Sequence, residues 1–484
     1  MLKKIKNNRI VSYILFVAAV CTIMLIVNIR SSLYNCDNLF MFKHAEILLK
    51  DGFIRTDVLR MHEGFDFMMP QWLFALTIYE LREIFSDRAI TVFIAAVIAL
   101  IGFVLYHISV TVTSRRRLSL WFSVAVMLLY SICFSQIRPH NVSALLGLCE
   151  VLLMEKSLRD GFSWKSYAAA AAISVLQINF HNSMWPLLFL INICYIGELT
   201  VRVLVKKDSE APLKQALIVT LISLAAGFIN PYGFEYMIYV IRSMPVMNRL
   251  KAMIMEQSPP TGSALRITIF LIATDLFAIV GRLRFRKKPR IRFVLMTLGF
   301  AFMAMSAARN LQLLIVFGQF VLLPDRDPAT KEHSEVDFRP AVIAAAALSL
   351  FIFITAPAKP YYGEEDYQKG VLYLVETGVP KDAKIFCSPD CGSALIYEGY
   401  RPYFDCMAEL YGIENNHRKD VASELMHALY SQDFRELFDA YGFEYAVVHD
   451  DYYADGIKKL PNWECVRDAE GGWVFRNIAS GDGG

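Results

Sequence analysis

Residues 90–117 read ITVFIAAVIALIGFVLYHISVTVTSRRR. From Ile90 to Val112 there is no Asp, Glu, Lys or Arg, and Arg115, Arg116 and Arg117 follow almost at once. An apolar run of about 20 residues matches a hydrocarbon core roughly 30 Å thick. A basic cluster at its end marks the cytoplasmic side. The stretch therefore predicts a membrane-spanning helix and gives its direction.

The same pattern repeats in both directions. Apolar runs occur at Ile10–Ile29, Ser119–Gln136, Val142–Glu155, Ser166–Ile178, Ser183–Val203, Gln215–Phe228, Ala264–Gly281, Phe293–Ala307, Leu311–Leu323 and Ala341–Pro357, which makes eleven with the first. With a cytoplasmic N-terminus (MLKKIKNNR), strict alternation puts Arg115–Arg117, Lys156–Lys165, Lys206-Lys207 and the loop RLRFRKKPRIR (Arg282–Arg292) all inside, as the positive-inside rule requires. No small-x-small cleavage site follows Ile29, so the first run reads as a retained helix. Gln71–Phe85 carries Glu80, Arg82 and Glu83, and counting it as a span would turn Arg115–Arg117 outward. It reads as an interfacial amphipathic helix, with a short re-entrant or tilted span as the alternative.

Composition agrees. Of 484 residues, 55% are hydrophobic and only 20% charged, with mean hydropathy +0.39, which excludes a soluble globular enzyme. Lys+Arg number 49 against 46 Asp+Glu, too balanced for a protein that binds nucleic acid by counterion release. Nine cysteines show no CxxC spacing, which argues against a zinc site or a dense disulfide framework. The expected fold is mainly α. A polytopic helical bundle of about eleven spans (residues 1–357, with a first extracytoplasmic loop at 30–88) is followed by a small extracytoplasmic α/β domain (358–484). In that tail, strands are expected at Lys384–Cys387, Pro402–Phe404, Tyr445–His449, Cys465–Asp468 and Trp473–Arg476, and helices at Glu364–Thr377 and Lys419–Tyr441. Cys387, Cys391, Cys406 and Cys465 then lie outside the membrane, where disulfides form, with no pairing deducible.

On the outward side the turns carry a recurrent polar set: Asp37, Asp57, Arg138-Pro139-His140, Asn179-Phe180-His181, Asn230-Pro231-Tyr232-Gly233, Glu256 and Arg309-Asn310. Ionisable groups at span ends are costly unless they face a bundle interior or wet cavity, so their collection at one face predicts an outward-opening site. Arg138 and Arg309 suit a phosphate, because guanidinium forks bind its oxygens bidentately and stay charged. The alternatives for them are headgroup contact or a pair with Glu256. Asp37 is either the N-cap of the helix that follows it or a base for a substrate hydroxyl. His181 sits between two short apolar runs, as at a broken helix lining a cavity. His44, His62 and Asp66 are too dispersed for a metal site.

The order of these motifs resembles a bacterial multi-pass membrane family in the broad group of GT-C-type glycosyltransferases. An Asp follows the first span (Asp37), then D-G-x-I-x-x-D (Asp51, Gly52, Ile54, Asp57), then Gln71-Trp72-Leu73 opening a helix. Arg138-Pro139, the N-x-H stretch Asn179–His181, Asn230–Gly233 with Glu256 after it, and Arg309-Asn310 before a span complete the series. In the tail, Cys391–Gly412 (CGSALIYEGYRPYFDCMAELYG) is similar to the family's Gly-containing turn, basic-Pro entry, F-x-D and L-Y-G. The chain departs at Met41, where a His is frequent, and at Asn182-Ser183, where a Gly pair is usual.

The resemblance implies transfer of a sugar from a polyprenyl-phosphate donor to an envelope glycan, lipid or protein at the outer face of the cytoplasmic membrane. Asp37 is the expected catalytic carboxylate and Asp57 its reserve. Arg138, His140, Asn179, His181, Asn230, Glu256 and Arg309 form the expected substrate-binding set. No cofactor is implied, a divalent metal is left open, and no nucleic acid is expected. The competing readings are a transporter or flippase, or a non-catalytic envelope scaffold. The first would show discontinuous helices and a repeat, and no two-fold repeat is present in the hydropathy.

Overall fold

The computed structural model describes residues 18, 20–23, 26–27, 33–205, 207–285, 289–325, 362–363, 365–469 and 472–480. Of the eleven apolar runs, Ile10–Ile29 lies largely, and Ala341–Pro357 wholly, outside the described residues. The chain divides into two compact units. One comprises residues 1–31, 81–233 and 254–358; the other comprises 32–80, 234–253 and 359–484.

The first unit is helical. The nine remaining apolar runs all fall on helices. Among the described residues, four helical stretches are long and apolar enough to cross a membrane: Asp87–Thr113, Arg116–Phe134, Asn182–Leu204 and Gly262–Arg284. The others are shorter or carry charge. The stretch Gly262–Arg284 turns Phe270, Phe277, Val280 and Leu283 outward, all more than half exposed. Such a face is untenable in water but ordinary in lipid, so this is a membrane protein. Trp72–Ile84, within the Gln71–Phe85 stretch, has 13 residues and reaches only about 20 Å, less than a hydrocarbon core.

Local chemistry sets where the helices turn. Ser114 adopts a left-handed conformation (φ 58°) and closes Asp87–Thr113 just before Arg116–Phe134, which packs back on it. Gly161 (φ 94°) ends His140–Asp160, and the Ser163–Ser166 capping box starts Trp164–Phe180. At the end of the bundle formed by these turns and the basic loops, Arg292 donates to Glu155 (2.6 Å) and Glu198 (2.6 Å), and Tyr195 Oη donates to Glu155 at 2.9 Å. These charges are satisfied by one another.

The second unit is built from three separated pieces of chain. Its four-stranded sheet has the order β1 (Ile385–Cys387), β2 (Tyr445–Val448), β4 (Gly472–Asn477), β3 (Trp463–Ala469). β1 pairs parallel with β2, and the other pairs are antiparallel. Four of the five strands expected from sequence are present. Pro402 makes only a single bridge to Ile385, because proline brings no ladder donor. The expected helix Lys419–Tyr441 divides into Val421–Ser431 and Arg435–Tyr441, since Gln432 turns left-handed (φ 54°) and Asp433 Oδ1 caps the Arg435 N–H at 3.0 Å.

Most of segment 30–88, grouped by sequence with residues 1–357, falls in this second unit. Leu39, from the helix Cys36–Asp51, shares a core with Leu374, Ile385, Cys387, Val447 and Val474. The Tyr34 carbonyl accepts from Tyr367 Oη (2.7 Å) and Gln368 Nε2 (2.6 Å). The helix Phe234–Arg249 joins them through Tyr236 Oη to the Met69 carbonyl (2.8 Å) and Arg249 to both oxygens of Glu414 (2.8 and 2.7 Å). Gly392 lies within the helix Pro389–Tyr397, where the family pattern implied a turn. A Cβ there would stand 1.8 Å from the Phe404 carbonyl oxygen, so only glycine allows this backbone approach.

Candidate functional site

Seven of the nine candidate residues lie in the helical unit, on turns and helix ends at the end opposite the Arg292 network. Arg138 sits between Arg116–Phe134 and His140–Asp160 in a turn held by Asn141, whose Nδ2 donates to the Gln136 carbonyl at 2.7 Å. The chain breaks at His181, which caps Trp164–Phe180 with extended backbone before Pro186 restarts the next helix. Its ring is fixed on both nitrogens, Nδ1 against Ser143 Oγ and Nε2 against Ser183 Oγ, each at 2.9 Å. Asn179 Nδ2 donates to the Ile229 carbonyl (2.9 Å), tying this break to the next turn. There Asn230 Nδ2 donates to the carbonyls of Gly227 and Gly233, and its Oδ1 accepts from the Tyr232 N–H. Both asparagines hold backbone.

Glu256 and Arg309 arrive on two short 3-10 turns, Met255–Gln257 and Ala308–Asn310, linked by the Ala308 N–H donating to the Ser258 carbonyl at 2.9 Å. Arg138 Nη1 donates to both carboxylate oxygens of Glu256, at 2.6 and 2.7 Å. His140 lies within electrostatic reach of Arg138, His181 and Arg309, and His181 within reach of Arg309. The turns thus bring two guanidinium groups and two imidazoles within electrostatic reach of one another, with Arg138 also held by the Glu256 carboxylate. That balance suits an anion. The Arg138–Glu256 pair is open to solvent, with side chains 24% and 46% exposed, so a competing anion displaces it at little cost.

The two candidate carboxylates of the first loop behave differently. Asp37 is in the first turn of Cys36–Asp51 and is not its cap: Asn35 takes that role, its Oδ1 accepting from the Asn38 N–H at 2.9 Å. Asp57 is sealed. Arg60 Nη1 donates to it at 2.7 Å and Arg60 Nη2 to Asp405 at 2.6 Å, with all three side chains fully buried. Tyr411 Oη and the Met407 N–H complete Asp405, each at 3.0 Å. As placed, Asp57 holds Arg60 and is closed to solvent. Nearby, His62 Nε2 donates to the Tyr403 carbonyl (2.7 Å), while Asp66 pairs with His417 Nδ1 (2.8 Å). Burial holds the His62 ring down at about 4, against the Tyr403 carbonyl that favours its charged form.

No protein-family model matches the chain, and no curated protein does. Its structure is similar to the crystal structure of the Archaeoglobus fulgidus oligosaccharyltransferase tethered to an acceptor peptide with the NVT sequon. The TM-score is 0.54 at 11% identity, over 91% of this chain and 70% of that one. The fold is of GT-C type. A mycobacterial arabinofuranosyltransferase matches more loosely, with TM-score 0.45 at 10% identity, over 95% of this chain and 41% of that one. At such identities the GT-C likeness concerns the fold, and no residue role passes through it.

Arg60, Cys36 and Asp405 build these clusters, and the sequence reading did not single them out. Asp57 and Arg60 at i,i+3 were a visible ion-pair spacing, whereas Asp405 is brought in by tertiary structure. Among the described residues one group has metal-ligand geometry: Cys36, Asp37 and Cys406, with ligand atoms within 4.8 Å of one another. Two thiols and one carboxylate are poorly suited to Mg²⁺ or Ca²⁺, which take oxygen ligands. The Cys406 thiol hydrogen-bonds to that of Cys36 and favours its thiolate, but burial and the Asp37 and Asp390 carboxylates outweigh this and push Cys36 up to about 11. Both thiols are therefore neutral near pH 7.

Proposed function

We propose that this chain is a membrane glycosyltransferase moving a sugar from a polyprenyl-phosphate donor to an envelope glycan, lipid or protein. The reaction takes place at the outer face of the cytoplasmic membrane. In this reading the N-terminus is cytoplasmic and the second unit is extracytoplasmic. The observation that carries it is the gathering of Arg138, His140, His181 and Arg309 on turns at one end of a GT-C-type helical unit.

Little covalent help from the protein is needed, because a lipid-linked sugar phosphate is already activated. Arg138 and Arg309 bind the phosphate oxygens and stabilise the charge that grows as the C1–O bond breaks. Glu256 holds Arg138 until the phosphate replaces it. His181, braced by Ser143 and Ser183, orients the donor, with His140 beside it. The acceptor hydroxyl bonds to C1, its proton passes to Asp37, and polyprenyl phosphate leaves, inverting the anomeric centre.

The test is transfer of radiolabelled sugar from a panel of polyprenyl-phosphate donors, comparing membranes with wild-type and Asp37→Asn protein at equal level. Asp37→Asn is expected to lower transfer by about 10²–10⁴-fold, the usual contribution of a general base. Wild-type membranes inert to the whole panel would sink the reading.

A further inference from the structure

Cys36 and Cys406 come from distant pieces of the chain in the second unit, yet their sulfur atoms lie within 4.8 Å. Each is rigidly placed. Cys36 opens a helix whose cap, Asn35, is hydrogen-bonded, and the neighbouring Tyr34 carbonyl is held by Tyr367 and Gln368. Cys406 follows Asp405 of the buried Arg60 network, and its own N–H donates to Ser393 Oγ at 3.3 Å. Ser393 adjoins Gly392, the residue that lets the Phe404 backbone close on this helix. The other tail thiols are engaged elsewhere. Cys387 donates to the Phe404 carbonyl (3.0 Å), Cys391 to the Tyr367 carbonyl (3.6 Å), and Cys465 is exposed on β3.

We propose that Cys36 and Cys406 are a modification site, joined in the mature protein by a disulfide that ties the first loop to the tail. The proposal rests on the outward placement given above. Two S–H bonds break and one S–S bond forms; the two electrons and two protons pass to a dithiol–disulfide oxidant, which leaves as its dithiol. Two carboxylates, Asp37 and Asp390, surround the pair, with Asp390 Oδ1 accepting from Cys406 Sγ at 3.3 Å and His449 Nε2 3.5 Å from Asp390 Oδ2. This acidic, part-buried setting suppresses thiolate.

The experiment uses full-length protein, with free thiols alkylated in intact cells and again after denaturation, followed by digestion without reductant and mass mapping. The expected result is one linked peptide pair containing Cys36 and Cys406, absent in Cys36→Ser, in which Cys406 becomes alkylated. Wild-type protein with both residues alkylated overturns the proposal, whether alkylation is direct or requires a chelator first, which would instead mark a metal–thiolate site. Labelling of Cys465 by a membrane-impermeant maleimide reads the side of the membrane separately. Labelled Cys465 beside unlinked Cys36 and Cys406 removes the disulfide and leaves the proposed orientation standing. A thiol reductant is also expected to lower the Tm of wild type by roughly 5 °C or more and to leave Cys406→Ser unmoved. Equal response in both would again overturn it.

Discussion

Arg60 and Arg138 are both arginines held by carboxylates at about 2.6–2.7 Å, one in each unit. Arg60 is fully buried between Asp57 and Asp405, with its guanidinium over the Phe67 ring at 5.6 Å. Arg138 meets one half-exposed carboxylate beside two histidines and a second arginine. Distance does not separate the two; desolvation does. A buried pair cannot release either partner without leaving an uncompensated charge, whereas an exposed pair exchanges partners freely. The same residue type is therefore a structural pin in one unit and a candidate ligand in the other.

Three measurements bear on that contrast. Arg60→Met should destabilise the second unit by about 3–5 kcal/mol, because Asp57 and Asp405 lose their shared cation. Denaturation of purified protein would show it, and a loss below about 1 kcal/mol would place Arg60 with the exposed arginine. Next in size is acid. His62 is held neutral by burial, with its folded value near 4 against about 6.5 unfolded. The unfolded chain therefore binds the extra proton first. Stability from this group is complete above pH about 6.5 and is lost as pH falls towards 4, by up to about 3 kcal/mol. His62→Gln should flatten that part of the profile, and an unchanged slope would assign it elsewhere. The smallest effect belongs to Glu256→Gln. Stability should move by no more than about 1 kcal/mol. The donor KM should fall, since Arg138 no longer has a carboxylate to give up; a rise would mean that Glu256 positions Arg138 for the phosphate.

The helices were legible because lipid imposes an apolar run on each, and the basic loops order them. The β-strands of the tail were legible for a similar reason, as short apolar segments between turn residues. What escaped was long-range. Nothing around Leu39 announces that it packs against Val447 and Val474, because an apolar residue beside a span looks like part of the bundle. Asp57 looked like a turn residue or a spare base, and only Asp405, far along the chain, reveals it as half of a buried ion network. Arg138, His140, His181 and Arg309 were legible as a set because charged groups at span ends are rare enough to stand out. Their mutual geometry came only from the turns that Asn179 and Asn230 hold.

The three-piece construction of the second unit has a consequence for biogenesis. Leu39 emerges from the ribosome early, and Val474, its partner in the core, roughly 430 residues later. At about 5–20 residues per second, the first loop waits on the order of a minute with its apolar face uncovered. During that time neither nascent-chain register nor local sequence can protect it. The fold therefore leaves residues 32–80 without their core partners until the tail strands are made, and truncations within the tail should be cleared as unfolded loops, however well the helices insert.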